Sequence, residues 1–141
     1  MGVVGRIGLA KETMAETTAQ ISMAGCPTAM KFSGKREDWA AWKVQAGAVL
    51  RYQGCGSTLK PEFKNQLPES EAAYELLDET DADDKKMIIA FRKNLRGVAL
   101  VQSCMEDPTI MQLVLSAIDD SAPEFPGGLM YKVWVALVKK F

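Results

Sequence analysis

The densest group of chemically capable side chains in the sequence is acidic: Asp78, Glu79, Asp81, Asp83 and Asp84. Such oxygen-rich clusters can hold Ca2+ or Mg2+, but this one lacks the central Gly and the distal Glu of a calcium loop. The Thr80-Asp81-Ala82-Asp83 stretch instead reads as a helix cap with acids in the first turn, where they meet the positive end of the helix. Cys26, Cys55 and Cys104 are far apart and odd in number, and read as three separate free thiols in a reducing compartment. Cys104 has no cationic neighbour in sequence to lower its pKa and reads as a small packing residue. Histidine is absent. That excludes a His-assisted nucleophile, a His-ligated metal and a zinc knuckle of the Cys/Cys/His/Cys kind. The glycines at 54, 56, 97, 127 and 128 have no Gly-Lys-Ser context for a phosphate loop, and the Asp-Thr-Gly or Asp-Ser-Gly triplet of an aspartic protease does not occur. The expectation is a protein that is not an enzyme and takes no cofactor, metal or small-molecule substrate.

The remaining candidates are three tryptophans, Trp39, Trp42 and Trp134. Each falls on the apolar stripe of a predicted helix, so core packing explains them as well as a ligand site would. Positioning these residues is then the task of the elements around them. At 141 residues, with 48% apolar and 25% charged side chains, the chain suits one domain able to bury a core without disulfide or metal. Its net charge of -1, from 17 basic and 18 acidic residues, is unlike that of a dedicated nucleic-acid binder, which needs a basic surface. No apolar run approaches the ~20 residues of a membrane span, and no signal peptide is visible. Met1-Gly2 invites myristoylation, but Arg6 stands where that motif wants Ser or Thr. A cytoplasmic protein without membrane contact is expected.

Residues 1–30 are rich in Gly, Ala, Thr and Met and read as a flexible or partner-dependent N-terminal arm, with a weak helix over Lys11 to Met23. A helical domain is expected over residues 31–141. Trp39, Trp42, Ala46, Val49 and Leu50 recur at steps of three and four, which predicts a helix ending near Gly54 and Gly56. A loop to Pro68 follows, then a short helix to about Asp78 with Tyr74 and Leu77 turned inward. The next helix presents Met87, Phe91, Leu95 and Val98 on one side, with Ile88 and Ala99 flanking and Gly97 as a weak point. Asp107-Pro108 opens another helix, with Asp as cap and Pro in the first helical position, and its stripe is Ile110, Leu113, Val114, Ala117 and Ile118. Asp119 to Gly128, with two prolines and a Gly pair, reads as a linker. The last helix runs from Leu129, stacking Met130, Trp134, Leu137 and Phe141. No stretch alternates as a strand would, so the fold class is all-α, about five helices in a compact bundle.

Phe32-Ser33-Gly34, followed by Trp39-Ala40-Ala41-Trp42 and an amphipathic helix reaching Leu50, resembles the opening signature of Gag polyproteins from Ty1/copia-type LTR retrotransposons. Asp84 to Leu95 resembles the long middle helix of that family, and Trp134, Leu137 and Phe141 match the Trp, Leu and Tyr or Phe of its later motif, in which the Trp opens a helix segment. The resemblance covers about residues 30–141. It implies the N-terminal lobe of a capsid protein, with Phe32, Gly34, Trp39, Trp42, Leu95, Trp134, Leu137 and Phe141 as motif and core residues. It further implies self-association into a virus-like shell around the element's RNA, with RNA contacts made mainly outside this chain. A host protein of capsid ancestry, or an unrelated helical adaptor binding another protein through one groove, is the alternative.

Overall fold

The computed structural model describes residues 31–141, which form five α-helices and two 3-10 turns. The expected N-terminal arm over 1–30 lies outside the described residues. Helix α1 is Arg36–Tyr52, α2 Glu71–Glu75, α3 Ala82–Ser103, α4 Pro108–Asp119 and α5 Met130–Lys140. Among the described residues the only extended pairing is an isolated bridge between Phe32 and Met105. The all-α class holds.

The chain enters at Phe32, which is 1% exposed. Its amide donates to Cys104 O at 2.8 Å and its carbonyl accepts from Glu106 N at 3.2 Å, so it is pinned beside the end of α3. Gly34 then turns the backbone with φ +87°, a conformation that disfavours residues with a Cβ. Ser33 Oγ donates to Asp38 at 2.7 Å across that turn, starting α1. Trp39, Trp42, Ala46 and Leu50 face inward as their spacing requires.

The segment expected as a plain loop after Gly54 is more ordered than its composition suggests. It winds into 3-10 turns over Gly56–Leu59 and Pro61–Gln66, burying Thr58 and Phe63. The short helix α2 starts later than expected and ends sooner, because Ser70 is the cap that accepts from Ala73 N, and Leu76 takes the other end. Asp81 caps α3 by accepting from Asp84 N, and Asp107 caps α4 by accepting from Thr109 N and Ile110 N.

Helix α3 carries two apolar faces rather than one. At 22 residues it is ~33 Å long, enough to serve two clusters. Ala90 and Phe91 join Phe63, Leu67, Phe125 and Leu129 in one, while Val98, Leu100 and Val101 join α1, α4 and α5 in the main core. Ala99, expected to flank the buried stripe, is exposed. Gly97 is a contact point as well as a weak one: a Cβ there would stand 3.1 Å from Met130 Cγ, so its absence lets α5 approach. The Asp119–Gly128 linker also contributes to the core, through Phe125.

Helix α5 begins at Met130, with Leu129 as cap residue and no side-chain cap of its own. The cap comes from another helix. Asn94 on α3 is 2% exposed; its Oδ1 accepts from Met130 N at 2.8 Å and its Nδ2 donates to Gly128 O at 2.8 Å.

Candidate functional site

The aromatic residues singled out by the resemblance converge on one place. Phe32 lies 5.0 Å from Trp42 and 5.7 Å from Trp39, and the two tryptophans are stacked at 5.6 Å. Trp134 approaches them at 6.3 and 6.0 Å. Phe141 closes the group, stacked on Trp39 at 5.1 Å and edge-on to Phe32 at 5.2 Å. These separations are those of favourable aromatic pairs. Arg36 reaches from α1 to the last turn of α5, donating to the carbonyls of Lys140 and Phe141 at 3.3 Å each. The cluster therefore joins α1 to α5.

Of the other motif residues, Leu137 is fully buried in the same core. Gly34 forms the turn into α1, where an added Cβ would meet Asp107 Cβ at 2.6 Å. Leu95 does not join them: it is half-buried and packs at the edge of the second cluster. Trp134 and Phe141 are half-buried at the rim, whereas Val133, absent from the predicted stripe, is fully buried. Trp134 also sits within α5 rather than opening it.

The acidic cluster is engaged with its own backbone. Asp78 accepts from Thr80 Oγ1 at 2.7 Å and Thr80 N at 2.9 Å, and Asp84 accepts from Asp78 N at 3.0 Å. Those two bonds from Thr80 hold the Asp78 carboxyl below its ordinary range. Among the described residues no group of three or more His, Cys, Asp or Glu side chains is placed to hold a metal.

The thiols depart from expectation. Cys104 is disulfide-bonded, which corrects the reading of three separate free thiols. Spacing along a chain says little about which sulfurs tertiary contacts bring together. Cys55 is free and buried at the end of α1. Burial pushes its thiol above the ordinary value, against the lowering pull of Arg96 and Lys93.

Among the described residues, apolar side chains reach the surface on several helices, two places among them. A shallow groove between α4 and α5 is lined by Leu113, Ala117, Tyr131 and Val135, and Lys132 pairs with Asp120 beside it at 3.2 Å. The outward face of α1 exposes Val44 and Tyr52. Both combine apolar area with neighbouring charge.

Asn94 was not singled out in the sequence, although a signal existed. It stands three residues after Phe91 and four before Val98, on their buried side of α3, where a polar residue must find partners. Comparison with family models, curated proteins and solved structures finds no match.

Proposed function

We propose that this chain is a capsid-like structural segment of the Ty1/copia Gag type, self-associating in the cytoplasm into a shell around the RNA of its element. The observation that carries the reading is the convergence of Phe32, Trp39, Trp42, Trp134 and Phe141. Residues that resemble two separate family motifs pack against one another, which gives both motifs one physical role, locking α1 to α5. A shell works through surfaces repeated by symmetry, and individually weak contacts suffice when many act together. Helical faces presented on a locked bundle suit that task. With the chain near neutral charge, RNA is held mainly by regions outside it. Among the described residues no helix is long and apolar enough to cross a membrane.

Electron microscopy and sedimentation of the purified full chain test the reading. Shells, tubes or rings are expected. The second reading, a host protein of capsid ancestry or an unrelated helical adaptor, draws on the α4–α5 groove, whose apolar floor and charged rim suit a partner segment. Material that stays monomeric and particle-free at every concentration would favour it.

A further inference from the structure

Helix α1 is amphipathic toward the core, yet its outward side is apolar as well. Ala40, Ala41, Val44, Ala48 and Tyr52 are all exposed, Val44 to 73% and Tyr52 to 88%. Positions three, four and seven apart share a helix face, so these residues form one stripe. Glu37 stands at its start and Arg51 at its end, and neither has an ion-pair partner among the described residues.

The stripe is nearly symmetric about Val44. Ala40 lies four residues before it and Ala48 four after; Glu37 lies seven before and Arg51 seven after. A second α1 laid antiparallel across it, with a two-fold axis through Val44, sets Val44 on Val44 and Ala40 on Ala48. It also sets Glu37 beside Arg51 twice. A parallel pair would oppose Glu37 to Glu37 and Arg51 to Arg51, so charge selects the antiparallel arrangement. The alanines leave room for the backbones to come close.

We propose that the outward face of α1 is a two-fold contact between two copies of this chain. The proposal rests on the self-association reading and names one of its surfaces. From Glu37 to Arg51 the helix extends only ~21 Å, so the pair buries less than the ~800 Å² per partner of a standard interface. The contact is weak alone and suits repetition in a larger assembly.

The test uses charge exchange in the full chain. Analytical ultracentrifugation should show a mass that rises with concentration. Glu37→Arg and Arg51→Glu should each weaken association about tenfold or more, since each places like charges together twice. An equimolar mixture of these two variants should recover it, because Arg at 37 of one then faces Glu at 51 of the other. Val44→Glu should separate the copies, and circular dichroism should find all three variants folded, their positions being exposed. Multimers that persist unchanged in every variant, or a mixture no better than its components, would overturn this surface and leave self-association standing. A wild-type chain that stays monomeric throughout would overturn both.

Discussion

The rings of Trp39 and Phe141 come from opposite ends of the described chain and lie stacked, with centroids 5.1 Å apart and planes inclined by 21°. Arg36, one turn before Trp39, fastens the same end of α5 through two carbonyls. Ring contact and hydrogen bonds thus act together, the first supplying apolar area and the second satisfying carbonyls left open at a helix end.

Trp42, 3% exposed at the centre of that cluster, is the position where truncation should cost most. Trp42→Ala is expected to lower stability by about 3 to 5 kcal/mol. Urea denaturation of the purified variant gives the value, and an unchanged midpoint would move Trp42 from the core to a surface role.

Asn94→Leu keeps approximate size but leaves Met130 N and Gly128 O, both buried partners of Asn94, without a bond. Unmade buried bonds cost about 1 to 3 kcal/mol each, so a loss of about 2 to 6 kcal/mol is expected. Hydrogen exchange should report it first at the start of α5, where the missing cap sits.

Gly34 and Gly54 both have positive φ, +87° and +78°, but only Gly34 is crowded, by Asp107. Gly54→Ala should cost about 1 to 2 kcal/mol for the left-handed conformation alone. Gly34→Ala should cost more, since it also displaces the cap of α4. Equal thermal shifts in the two variants would contradict the crowding.

Cys55 should resist iodoacetamide in the native chain and react on unfolding, as peptide mass spectrometry can assign. The pH dependence has a definite sign. Its thiol is raised by burial above the ordinary 9.0, so the folded state holds the proton more tightly. The resulting stabilisation is complete below the unfolded value and disappears as pH rises through the folded one. Cys55→Ala should flatten that part of the alkaline stability curve.

RNA binding by this chain should be weak and non-specific, with a Kd of ~10⁻⁴ M or weaker at physiological salt. Lys and Arg at 31, 35, 36, 43 and 51, and at 132, 139 and 140, are spread along the chain rather than gathered in one block. Sub-micromolar filter binding at that salt would make the segment an RNA-binding module in its own right.

Local patterns determined much of the architecture. The three-and-four spacing of Trp39, Trp42, Ala46 and Leu50 set both α1 and its inward face, and Asp107-Pro108 and Asp81 marked helix starts that the structure keeps. These features depend on neighbours within a turn or two, which a sequence displays directly. Tertiary structure decided the rest. Phe63 and Phe125 come from segments with no helical period, so their burial depends on meeting Phe91 and Leu129 across the fold. Leu95 shares a stripe with Phe91 but lies at the edge of what α3 covers. The cap of α5 is supplied from α3 by Asn94. Pairings between residues remote in sequence carry no local period, and only the packed chain specifies them.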